Sequence, residues 1–285
     1  MNKLFFLCLA CCTVLTGCQT GTHKPASPSS ASSKGFTCVL VHGAWGGGWD
    51  WKHVDQLLAA GGNEVYRPTL TGQGEHSNLA NTNIDLDTHI QDVVNVILWE
   101  NLHDVVLVGH SYGGMVITGV ADRVPDRIQR LVYVDALLPE NGECVNDIKP
   151  NRIKTSFTNG YVIGDWMKGN PPPPHDVPMP AKTFSEPITL TNQAAAGKLP
   201  TTYILTVDKG KAPEQDDFHK FYLRAQVRGW PVLIMEGDHN VQRSHPQQLV
   251  KLIEQEPWVK FKPPRRQEEN TGGHPRTWRP PRFGG

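Results

Sequence analysis

The chain has 285 residues, in which 28 Lys and Arg balance 28 Asp and Glu, so nothing in the overall charge draws it to nucleic acid or to an anionic surface. With 38% hydrophobic residues, 27 Gly and 23 Pro, the composition supports a packed core broken by many turns and excludes coiled coil, collagen and wholesale disorder. No uninterrupted apolar run reaches the roughly 18 residues that a spanning helix needs.

Met1, Asn2 and Lys3 give a short positive start, Leu4 to Leu15 form an apolar stretch of signal-peptide length, and Leu15, Thr16, Gly17 and Cys18 follow directly. This front end resembles a bacterial lipoprotein signal. The resemblance implies removal of residues 1–17, a diacylglycerol on the Cys18 sulfur and an acyl group on its amine, and hence membrane lipid as a partner. The location it implies is the cell envelope, at the outer membrane in a Gram-negative cell. Acyl chains contribute about 0.8 kcal/mol per buried CH₂, so two or three chains hold a protein at a bilayer where one does not. Residues 18–35 then read as a flexible polar linker rich in Ser and Pro. Of six cysteines only Cys38 and Cys144 fall in the body. Cys38, inside the apolar run FTCVLV, reads as a small buried core residue.

From residue 36 short β-branched runs alternate with amphipathic stretches. The strand candidates are 36–41, 64–68, 105–109, 130–135, 202–207 and 231–235, and the helix candidates are 50–60, 86–100, 112–123, 214–228 and 245–256. Near-continuous apolar strands separated by helices predict an α/β fold with a mostly parallel sheet covered on both faces. Between 139 and 200 prolines interrupt every long pattern, which predicts a cap inserted over the strand ends, where α/β folds bind ligands. The predicted body ends near Lys262; residues 263–285 hold five Arg, two Glu and five Pro and read as a disordered basic tail.

The segment 105–114, VVLVGHSYGG, reads as strand, G-x-S-x-G and helix start. A serine in such a sharp turn needs glycine on both flanks, and the turn lifts its hydroxyl above the sheet edge at a helix N-terminus. Ser111 is therefore the candidate nucleophile. A serine hydroxyl is weak without a base, and His239 follows a strand and lies on the same sheet edge; His42, His110 and His245 compete with it. The acid should come from a strand end between the two, where Asp208 after TYILTV fits the order Ser, Asp, His. Asp135, closing RLVYVD, is also on the correct edge, and Asp216 or Asp217 could reach in from the next helix. After the first strand, VHGAWGGGW (41–49) allows the backbone to turn close to the serine, so that the Ala44 and Tyr112 amides make a candidate oxyanion hole. Dinucleotide, P-loop and H-E-x-x-H metal motifs are absent from the sequence, and no metal or organic cofactor is expected.

These segments, with 66–77, 131–143 and 237–249, resemble the α/β-hydrolase superfamily over about residues 36–258, in the branch of small esterases, methyl esterases and plant hydroxynitrile lyases. The resemblance implies nucleophile Ser111, base His239, acid Asp208 and oxyanion donors Ala44 and Tyr112. Hydroxynitrile lyases carry a lysine after the catalytic histidine and a threonine after the first loop histidine, where this chain has Asn240 and Gly43, so cyanohydrin chemistry is not expected. The implied activity is hydrolysis of a small carboxylic ester through an acyl-enzyme. The same triad would serve an amidase, thioesterase or perhydrolase, and a silent envelope-binding module is the alternative from another class.

Overall fold

The computed structural model describes residues 35–149, 154–169 and 171–255. The expected leader, the linker with Cys18 and the tail from 263 lie outside the described residues.

Six parallel strands form the central sheet: β1 (Thr37–Val41), β2 (Glu64–Tyr66), β3 (Val105–His110), β4 (Ile128–Val134), β8 (Thr201–Val207) and β9 (Val232–Glu236), in the order β2-β1-β3-β4-β8-β9. Because side chains alternate across a strand, each apolar run feeds two cores. Cys38, Leu40, Val106, Val108, Val132, Val134 and Ile204 pack with Val54 and Leu58 of helix α1 (Lys52–Ala60) and with Leu249 and Ile253 of α9 (Pro246–Glu254). Val39, Val41, Leu107, Leu131, Tyr133, Tyr203 and Leu205 pack on the other face with α2 (Leu86–Trp99), α3 (Gly113–Arg123) and α7 (His219–Val227). Cys38 is buried there, its thiol pushed up to about 12 by desolvation, and Cys38 and Cys144 are both free thiols. The start of α2 is set by Asp85, whose side chain accepts from Thr88 N at 2.9 Å in a capping box, an arrangement worth about 1 kcal/mol. The predicted 214–228 helix starts only at His219. Asp216 Oδ1 accepts from Phe218 N at 2.8 Å, and such an Asx turn competes with helix.

The insertion after β4 contains three short helices, α4 (Val145–Ile148), α5 (Lys182–Ser185) and α6 (Gln193–Ala196), and a three-stranded antiparallel sheet of β5 (Thr155–Thr158), β6 (Tyr161–Gly164) and β7 (Met179–Pro180). The sequence reading foresaw a cap here but none of its strands. Asn159 and Gly160, both at positive φ (51° and 82°), make the two-residue β5–β6 turn, the backbone that an Asn-Gly hairpin needs. The cap is tied to the sheet edge by Val177 N donating to Trp45 O (2.8 Å) and Trp45 Nε1 donating to Val162 O (2.9 Å). Its return segment is tied to α3, where the buried Asp122 carboxylate accepts from Thr191 N (2.8 Å) and Asn192 N (2.7 Å). Among the described residues no helix is long and apolar enough to cross a membrane.

Candidate active site

Strand order reverses direction between β1 and β3, and the loops leaving their C-terminal ends face each other there, the place where open α/β sheets take ligands. Ser111 follows β3 at φ 53°, a conformation that costs a non-glycine residue about 1–3 kcal/mol and is held by its surroundings. Ser111 N donates to Val134 O at 3.3 Å and Ser111 O accepts from Leu137 N at 2.9 Å, which locks the turn against the end of β4. The flanking glycines are steric requirements. A Cβ on Gly109 would lie 2.7 Å from Gly113 O, and one on Gly113 would lie 2.7 Å from Val41 O.

The Ser111 hydroxyl, almost wholly buried, stands 3.0 Å from His239 Nε2. On the other side of the ring, His239 Nδ1 lies 2.6 Å from Asp135 Oδ2. The Asp135 carboxylate has no exposed surface, and its second oxygen accepts from Thr206 N at 3.2 Å. Phe218 stacks on the His239 ring with centroids 4.8 Å apart, so the imidazole is fixed by a serine, a carboxylate and an aromatic face.

This geometry corrects the expected acid. Asp208 sits just past β8 in an exposed turn and pairs with Lys211 Nζ at 2.7 Å, while the aspartate bonded to the imidazole is Asp135 at the end of β4. The two strands are neighbours, so both carboxylates leave the same sheet edge. Asp135 has φ 42°, which turns its side chain back over the strand ends, whereas Asp208 stays with the hydrophilic run that follows it. Asp216, the other alternative, spends its Oδ1 on the Phe218 amide.

The competing histidines are placed elsewhere. His42 is buried between Gly43 O (2.7 Å from Nδ1) and Leu70 N (3.1 Å from Nε2). A carbonyl only accepts and an amide only donates, so the proton is on Nδ1; burial lowers the pKa to about 4 and keeps the ring neutral. His110 Nε2 donates to His239 O at 2.7 Å, which pins the backbone of the candidate base, and burial holds its pKa well below 6.5. His245 Nδ1 contacts Ser244 Oγ at 2.8 Å. His89, which the sequence reading did not single out, accepts from the Tyr112 hydroxyl at 3.0 Å and donates to Thr71 O at 3.0 Å. That bond anchors the first residue after the serine.

The loop after β1 carries Ala44 and then Trp45 at φ 64°. Gly43 runs against the elbow, where a Cβ would lie 3.1 Å from Ser111 Cβ. The Ala44 and Tyr112 N–H groups have no hydrogen-bond partner among the described residues, as donors kept for a developing oxyanion require. A cavity of about 350 Å³ opens over Ser111 and His239, walled by Ala44, Trp45, Trp166 and Arg243. Among the described residues no group of three or more His, Cys, Asp or Glu is placed to hold a metal ion.

A parallel sheet, a serine elbow and a histidine held between serine and carboxylate define a hydrolase of the acyl-transfer kind. Comparison with known proteins gives the family: residues 38–252 match the model of the alpha/beta hydrolase family, and the chain belongs to it. A carbendazim hydrolyzing esterase from Nocardioides sp. (strain SG-4G) is 34% identical over 243 residues, 75% of this chain and 97% of that protein. Methylesterase 2 from Arabidopsis thaliana is 31% identical over 131 residues, 45% of this chain and 48% of its own length. Among solved structures, an extracellular alpha/beta-hydrolase from a Paenibacillus species superposes with a TM-score of 0.61 at 25% identity, covering 76% of this chain and 97% of that one.

Proposed function

We propose that the protein hydrolyses small carboxylic esters through an acyl-enzyme on Ser111, with His239 as base and Asp135 as acid. The observation that carries this reading is the imidazole bonded at once to Ser111 Oγ (3.0 Å) and Asp135 Oδ2 (2.6 Å). Ser111 Oγ attacks the ester carbonyl as His239 Nε2 takes its proton, and the tetrahedral oxyanion accepts from the Ala44 and Tyr112 amides. Asp135 keeps the Nδ1 proton in place and stabilises the imidazolium. The C–O bond to the alcohol then breaks as His239 returns the proton to the leaving oxygen. Water, deprotonated by His239, attacks the acyl-Ser111 carbonyl and releases the acid. The esterase names of the relatives support a small ester substrate. The expected result with 4-nitrophenyl esters of graded acyl length is turnover that is fastest for short chains and exceeds that of the matched anilide and thioester. Faster cleavage of the anilide or thioester would move the activity to an amidase or thioesterase.

The lipid anchor at Cys18 belongs to the same proposal and rests on residues 1–18 of the sequence. Cells fed radioactive palmitate should label the wild-type protein and not Cys18→Ser, and the variant should leave the membrane fraction. Equal labelling of both would remove the anchor.

A further inference from the structure

Beside the catalytic cavity lies an outer cavity of about 570 Å³ under the cap, walled by Trp49, Ile163, Met167, Pro171, Pro174 and His175 among others. The two have Trp166, Asp176 and Arg243 in common. Arg243 comes from α8 (Val241–Ser244), four residues after His239, so the segment that carries the base also carries this guanidinium. Its position is over-determined. The guanidinium lies on the face of Trp49, 4.4 Å from the ring centroid, and Nη2 makes a close ion contact with Asp50 Oδ1 and a longer one, 3.7 Å, with Asp176 Oδ1. Asp176 Oδ2 in turn accepts from Trp166 Nε1 at 2.8 Å. Asp50 is buried against the oxyanion loop, where a Cβ on Gly46 would lie 2.1 Å from its Oδ2. Both anionic partners use the same nitrogen. The Nε and Nη1 donors of Arg243 make no hydrogen bond among the described residues, and the side chain is 39% exposed.

We propose that Arg243 is a specificity residue that donates a hydrogen bond to a second, uncharged acceptor oxygen on the ester substrate, at the junction of the catalytic and outer cavities. This deepens the ester-hydrolase reading and rests on it. The substrate class is a neutral ester that extends beyond the scissile group and carries a ketone, ether or second ester oxygen on the part entering the outer cavity. Neutrality follows from local charge. Asp50 and Asp176 already outnumber Arg243, so a carboxylate brought to the guanidinium would also meet two like charges. Length follows from space, because the two cavities lie in the range that encloses drug-sized ligands, far more than a methyl acetate would fill. A hydrogen bond to a charged donor at a partly exposed site is worth roughly a 10- to 100-fold preference.

The test uses two matched ester pairs that place the acceptor on either side of the scissile bond: 4-nitrophenyl 4-oxopentanoate against 4-nitrophenyl pentanoate, and 2-methoxyethyl acetate against butyl acetate. The readout is the ratio of kcat/KM within each pair, so that a general loss of activity cancels. Arg243→Met should lower the ratio about 10- to 100-fold in one pair, mainly through KM, and Arg243→Lys should restore part of it. If Arg243→Met no longer labels with a fluorophosphonate, Asp50→Asn/Arg243→Met supplies the same comparison without a stranded buried carboxylate. A change of the ratio under about threefold in both pairs, in a variant that still turns over the plain esters, overturns the proposal while leaving the hydrolase reading standing. Failure of the wild-type protein to cleave any of the four esters refutes the hydrolase reading and this proposal together.

Discussion

Asp135→Asn will lower kcat/KM on an activated ester about 10³- to 10⁴-fold, and Asp208→Asn will leave it within about fivefold of the parent. The asparagine fits the space of the carboxylate, so the sheet edge and the Thr206 bond have no reason to move. Its amide can, however, donate to His239 Nδ1, which pushes the ring proton to Nε2 and removes the acceptor that Ser111 needs. Asp208 loses only an ion pair with Lys211 in which both side chains are about half exposed, an interaction worth at most about 1 kcal/mol. Steady-state kinetics of both variants on one 4-nitrophenyl ester measure the difference. Collapse of Asp208→Asn with near-parental Asp135→Asn would return the acid to β8.

Ser111→Ala will reduce kcat by about 10⁶-fold, because removing the nucleophile costs nearly as much as removing the whole catalytic group. The rate that remains is what the oxyanion donors and binding supply without it. Alanine replaces a buried hydroxyl at a backbone held from both sides by Val134 O and Leu137 N, so thermal unfolding should coincide with the parent within a few degrees. A fluorophosphonate probe will label the parent and not the variant. Undiminished turnover by a folded Ser111→Ala would show that another group performs the attack.

How far the sequence showed this site depends on how locally each part is specified. The elbow is local: strand, G-x-S-x-G and helix lie within ten residues, and the steric need for Gly109 and Gly113 is written in the motif itself. The parallel sheet was legible for the same reason, since each strand is an apolar run buried on both faces. The acid was not, because the choice lies between two neighbouring strand ends and chain order alone favours the later one. The flanks held the signal. Asp135 is followed by Ala136, Leu137 and Leu138, all buried, whereas Asp208 is followed by Lys209, Gly210 and Lys211. A carboxylate in apolar company must find a partner; one beside lysines is already solvated.

The cap strands were missed on different grounds. β5 and β6 are four residues each, and β5 turns Ser156, Phe157 and Thr158 to solvent, so hydrophobic periodicity says little. Asn159-Gly160 between them was the available signal, hidden among the many prolines of the insertion. The roles of His110, Phe218 and Arg243 had no local signal at all. His110 acts on a carbonyl 129 positions away, and Phe218 and Arg243 reach the site only once β8, β9 and the cap are packed together.

The account stands most directly on a covalent acyl group at Ser111. Wild-type protein mixed with 4-nitrophenyl acetate, quenched in acid within the first turnovers and digested, should yield the peptide containing Val105 to Arg123 carrying one acetyl group on Ser111 by mass spectrometry. The burst of nitrophenolate should match the acetylated fraction. An acetyl group that accumulates on another residue with the same kinetics, or a full burst with Ser111 unmodified, would contradict it.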